Sequence, residues 1–173
     1  TYYLDIIPGG IGTTELADAN VTIPKLSATG VPDATTFHRG DDTWAAPELI
    51  DYDEIEADES LADGDFVNVF DDGGTPKVRL AQANSCDTCA KGHVRAAWTA
   101  GQMARVYRPG TVNPSLSGLT PGLFYYLDAA TAGAVTDIPD MIDGYIIQNV
   151  GWSISSTKLV TNYQEPETVG YTP

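Results

Sequence analysis

The chain is poor in positive charge, in sulfur and in histidine. Its 173 residues carry 9 Lys and Arg against 24 Asp and Glu, for a formal net charge of −15, with two cysteines, two histidines and two methionines. A balance this acidic argues against nucleic acid or anionic lipid as a partner, because both are repelled. No apolar run approaches the ~20 residues a membrane-spanning helix needs. The opening Thr1-Tyr2-Tyr3-Leu4-Asp5 has neither a basic region nor an apolar stretch, so no signal peptide is expected. Two histidines and no G-x-S-x-G elbow leave a hydrolytic triad unsupported. Pro8-Gly9-Gly10-Ile11-Gly12-Thr13-Thr14 lacks the lysine of a phosphate-binding loop. No repeat of fixed period marks a long β-helical enzyme.

What the chain does have is 42% apolar residues, enough for a core, with 17 glycines and 11 prolines that suit short strands and turns. Its acid is concentrated. Residues 33–72 hold 14 of the 24 acidic side chains and a single base, Arg39. The centre of that run is Asp51-Tyr52-Asp53-Glu54-Ile55-Glu56-Ala57-Asp58-Glu59. Residues 48–62 are therefore expected to form a hydrated acidic linker, since like charges resist compact packing. Clustered carboxylates also suit calcium, although the spacing fails the EF-hand template. Docking onto a basic surface is the third reading.

On either side the composition differs. Residues 1–47 read as an extended arm, with Pro8, Pro24, Pro32 and Pro47 interrupting any long helix. Leu16, Val21, Ile23 and Leu26 are irregularly spaced there and have no local partners. They call for another surface, either a second copy or a scaffold. Ordering ~30 arm residues costs on the order of 1 kcal/mol each, and four aliphatic side chains return roughly 1.5–3 kcal/mol apiece. A larger interface with backbone hydrogen bonds must therefore contribute.

Residues 63–173 read as a compact β domain, a small antiparallel barrel or sandwich. Candidate strands are 65–70, 77–80, 93–97, 103–108, 124–127, 145–150 and 158–163. Asp71-Asp72-Gly73-Gly74 marks a hairpin. Cys86-Asp87-Thr88-Cys89 is the one CxxC motif, with His93 four positions on. A zinc site would have only these three ligands and needs a fourth, and a thioredoxin-type role needs a βαβ setting. A disulfide closing a tight loop, two plain thiols, or an arrangement between subunits are the remaining readings. Arg39-Gly40-Asp41 matches an adhesion tripeptide but reads by default as a turn. Trp98, Tyr125, Tyr126 and Trp152 are candidates for a glycan-binding surface, or else core or interface aromatics.

Residues 15–45, from Glu15-Leu16-Ala17-Asp18 through Lys25-Leu26, Ala28-Thr29-Gly30-Val31-Pro32 and Thr35-Thr36-Phe37-His38-Arg39-Gly40-Asp41-Asp42-Thr43-Trp44, resemble a segment of tail fibres and other virion proteins of tailed bacteriophages. His38 stands where that pattern has leucine, and Asp42 where it has glycine. The series Gly64-Asp65-Phe66-Val67, Gly92-His93-Val94, Leu119-Thr120-Pro121-Gly122-Leu123-Phe124-Tyr125-Tyr126-Leu127 and Val150-Gly151-Trp152-Ser153-Ile154-Ser155 is similar to the β-barrel domains of phage fibre and capsid-decoration proteins. The resemblance implies a non-enzymatic homotrimer on the outer surface of a virion. It would touch capsid or tail proteins and in some settings a host cell surface, with no cofactor, no metal and no membrane insertion. Leu16, Val21, Ile23, Leu26, Phe37 and Trp44 would then form the attachment and trimer interface.

Overall fold

The computed structural model describes residues 51–170, together with the backbone pairing of residues 37–38 and 44–45. The chain divides into two units, Thr1–Leu49 and Ile50–Pro173. In the first, β1 (Phe37–His38) and β2 (Trp44–Ala45) pair antiparallel, Phe37 opposite Ala45 and His38 opposite Trp44. Leu16, Val21, Ile23 and Leu26 lie outside the described residues, as do the side chains of Phe37 and Trp44.

The second unit is almost entirely β. A closed five-stranded barrel comes first, built from β3 (Tyr52–Ala57), β4 (Phe66–Asp72), β5 (Thr75–Leu80), β6 (Gly92–His93) and β7 (Met103–Tyr107). Its circular order is β3-β5-β4-β6-β7. Every neighbouring pair is antiparallel except β3 and β5, which run parallel and close the ring. A five-stranded antiparallel sheet follows, in the order β10-β9-β12-β13-β8. Its strands are β8 (Val112–Asn113), β9 (Phe124–Leu127), β10 (Val135–Thr136), β12 (Asn149–Ser153) and β13 (Leu159–Thr161). A ribbon of β11 (Ile146–Ile147) and β14 (Glu167–Thr168) completes the unit.

The glycine pair expected to turn the first hairpin does so. Asp72 faces Thr75, leaving Gly73-Gly74 as a two-residue loop with φ of 62° and 94°. Two successive positive φ values define the turn whose twist matches paired strands, and the Gly74 N–H donates to Asp71 Oδ1 at 2.9 Å.

Pleat alternation separates two cores. Val67, Val78, Val94, Ala104, Val106, Ala57 and Leu61 fill the barrel, where small and branched side chains suit so narrow a ring. Phe66, one residue away on β4, points to the other side and joins Leu127, Tyr125, Ile146, Val150 and Leu159 between barrel and sheet. Polar ties stitch the layers together. The buried amide of Gln148 both accepts from the Ala90 N–H and donates to the Ala90 carbonyl, and Asn113 Nδ2 donates to the Gly64 carbonyl at 2.8 Å. Gly151 sits at the bulge where β12 slips against β9, with φ 145°. A Cβ there would overlap the Val160 carbonyl oxygen.

Several elements differ from expectation. The acidic stretch 48–62 is not a linker, because Tyr52–Ala57 is a barrel strand. The expected strand 93–97 shrinks to Gly92–His93, since the Val94 N–H turns to the Asp65 carbonyl. The span 145–150 divides into β11 and β12, which serve different partners.

Candidate functional site

The acidic strand β3 finds its cations on and just past β7 and on β5, the strands on either side of it. Glu54 faces Arg105 directly in the antiparallel register, and Arg105 Nε donates to Glu54 Oε1 at 3.3 Å. Asp53 takes a two-pronged contact from Arg108, at 2.8 Å through Nε and 2.6 Å through Nη2. That bond holds the Asp53 carboxyl below its usual range. Lys77 of β5 sits 2.7 Å from Asp72, 3.6 Å from Asp58 and 3.8 Å from Glu56. Six of the ten acids between residues 51 and 72 thus sit in ion pairs, with partners up to 55 positions away in sequence. Among the described residues, no group of three or more His, Cys, Asp or Glu side chains is placed to hold a metal ion.

On the same wall of the barrel, four aromatic rings lie side by side across four strands. Phe66, His93, Tyr107 and Tyr52 are successive cross-strand partners. Their centroids are separated by 6.1, 5.6 and 5.4 Å. Directly opposed side chains on one sheet face are the natural contact pairs of a β-ladder, so the row follows from register. It runs from the buried core at Phe66 to the half-exposed Tyr52. His93 is fully buried, and Tyr163 stands over it with its Oη 3.4 Å from Nδ1. Arg95 Nε donates to His93 Nε2 at 3.3 Å, which assigns the neutral ring's proton to Nδ1. Desolvation first, and the neighbouring Arg95 charge second, push the imidazole down to about 3. Burial likewise pushes the Tyr163 phenol up. Neither group titrates near neutrality.

At its open end the row meets two guanidiniums. Arg95 lies over the Tyr107 ring at 3.7 Å and Arg105 over Tyr52 at 4.9 Å, both within cation–π range. With Ala96 and Trp98 they line a cavity of about 250 Å³. Trp98 is tied to Leu61 by a backbone bridge. Its Nε1–H is buried and has no hydrogen-bond partner among the described residues.

A second surface lies on the five-stranded sheet. Phe124, Trp152, Val160 and Val112 are successive cross-strand partners on β9, β12, β13 and β8. They form one apolar line across the solvent face. Phe124 is 57% exposed and Trp152 37%, whereas the alternate side chains Tyr125, Ser153 and Leu159 are buried beneath. Tyr126 shares the outer face by parity, and Ile154 extends it.

The sequence-derived candidates are therefore distributed. Trp98 lines the barrel cavity, Trp152 and Tyr126 belong to the sheet face, and Tyr125 is buried with its Oη accepting from the Thr120 N–H at 2.8 Å. Cys86 and Cys89 are free thiols and form no disulfide. They sit at the two ends of a short 3₁₀ turn, residues Cys86–Thr88 and its cap, which exposes Cys86 and buries Cys89 in the core. Arg95, Arg105 and Tyr107 are not among the sequence-derived candidates, although Arg105 and Tyr107 fall in the expected strand 103–108. Comparison with protein-family models, with curated proteins and with solved structures finds no match for this chain.

Proposed function

We propose that this protein is a non-enzymatic structural component of a tailed-bacteriophage particle. In this reading it is a homotrimeric fibre or decoration protein, attached through residues 1–47 with its β unit facing outward. The resemblance of residues 15–45 to phage fibre segments supports it. The observation that carries it is the apolar line Val112–Val160–Trp152–Phe124, four uncharged side chains in a row on a chain of net charge −15. The occupant of that face is a second copy of the chain. Joining copies through uncharged surface leaves the ion-paired barrel wall in solvent and avoids bringing acidic surfaces together. Buried aromatic anchors of this kind each contribute about 2 kcal/mol or more at an interface. Capsid cement, stabilising a head shell, is the same architecture on a different floor.

Mass photometry or multi-angle light scattering of the full chain tests the reading. A trimer at micromolar concentration is expected. The double substitution Phe124→Glu and Trp152→Glu is expected to give monomers with an unchanged far-ultraviolet spectrum, because both side chains leave the core untouched. A monomeric wild type, or a trimer indifferent to both substitutions, would overturn the assignment of this face. Labelled chain lacking residues 1–47 is expected to lose attachment to particles.

A further inference from the structure

We propose that the cavity formed by Arg95, Ala96, Trp98, Arg105 and Tyr107 binds a carboxylated sugar ring, the acidic unit of a surface polysaccharide. The inference is independent of whether the chain is a fibre or a shell protein.

Charge comes first. Residues 51–170 hold seven Lys and Arg side chains, and two of them line this one cavity. Distant acids on the chain are screened over about 8 Å at physiological salt, whereas a carboxylate inside the cavity meets the guanidiniums directly, sharing Arg95 with Asp51 and Arg105 with Glu54. An extended phosphate polymer would instead meet the whole acidic surface.

Preorganisation comes second. Arg95 is held by the Tyr107 ring at 3.7 Å, by His93 Nε2 at 3.3 Å and by Asp51 at 3.6 Å. Little side-chain entropy remains to be lost when a ligand arrives. Arg105 engages Glu54 through Nε alone, so among the described residues its Nη groups are left for another acceptor. A guanidinium presents donors in a planar fork that fits a carboxylate two-pronged.

Shape comes third. A volume of about 250 Å³ lies below the usual range for drug-sized ligands and suits one ring of a chain whose remainder stays in solvent. Trp98 supplies aromatic surface against which the C–H face of a pyranose packs, the Tyr107 ring face being taken by Arg95.

The test uses the full chain, a glucuronic-acid oligosaccharide, and a glucose oligosaccharide of equal length. Calorimetry gives affinity, and the Trp98 indole N–H resonance, assigned with Trp98→Phe, gives location. The acidic sugar is expected to bind, to move that resonance, and to weaken as salt rises. Arg105→Gln, at an exposed position, is expected to weaken binding roughly tenfold or more, while Lys91→Gln, which removes an exposed charge outside the cavity, leaves it unchanged. Equal binding of the neutral sugar, equal binding of acetate or inorganic phosphate, wild-type affinity in Arg105→Gln, or a Trp98 resonance unmoved at saturating acidic sugar would each overturn the proposal.

Discussion

Acid should destabilise this fold through a single imidazole. His93 is fully buried between Phe66, Tyr107 and Tyr163, with Arg95 across its Nε2. Its folded-state value is lowered from 6.5 to about 3. The direction follows from linkage. Above pH 6.5 both states carry a neutral ring and His93 makes no difference to stability with pH. Below 6.5 the unfolded chain binds a proton that the folded chain refuses. Stability is therefore lost as pH falls from 6.5 towards about 3, at up to about 1.4 kcal/mol per pH unit.

Between pH 7 and pH 4 that amounts to roughly 3 kcal/mol, a large share of the 5–15 kcal/mol typical of a domain. The assay is urea unfolding followed by fluorescence at pH 7, 6, 5 and 4, at one protein concentration, for the wild type and for His93→Gln. Glutamine keeps an acceptor for Arg95 and cannot titrate. It is expected to be less stable at pH 7, having lost the ring stack, yet to lose about 3 kcal/mol less than the wild type on acidification. The comparison cancels the carboxylates, including Asp53, whose lowered value adds loss at lower pH, and Asp65, whose burial raises it and acts oppositely. Identical pH slopes in the two proteins, or a His93 imidazole proton signal (the one absent from His93→Gln) titrating near 6.5, would refute the reasoning.

Two other outcomes follow from the geometry. Gly151→Ala places a side chain at φ 145° against the Val160 carbonyl, and is expected to cost about 2 kcal/mol or more in the same denaturation assay, whereas Gly73→Ala, with open space around its Cβ position, should cost less. Iodoacetamide should alkylate one thiol, Cys86, in the folded protein and both once it is unfolded, as read by intact mass; a chain that takes up no label until reduced would instead mean a Cys86–Cys89 bridge.

Much of the β unit was legible because its signals are local. The Gly73-Gly74 turn demands positive φ at two successive positions, which only glycine adopts at no cost. Both Met103–Tyr107 and Phe124–Leu127 alternate outward and inward side chains, although in Phe124–Leu127 all four residues are aromatic or aliphatic and only the pleat decides which are buried. The CxxC left bridge and thiol open, and packing decided between them by turning Cys89 into the core and Cys86 out. The acidic stretch misled for a definite reason. Local like charge says repulsion, and the arginines that answer it arrive 51 and 55 residues later.

What the amino-acid sequence by itself determined is the strand-and-turn character of the β unit and the scarcity of cations. Those properties depend on neighbours a few positions apart. The tertiary structure alone decided that residues 52–57 close a barrel by lying parallel to β5, and that four rings and two guanidiniums meet on one wall. It also decided that an uncharged line crosses the sheet face. Each of these is a matter of register between strands far apart in the chain, and a shift of one residue would turn every one of those side chains to the opposite face.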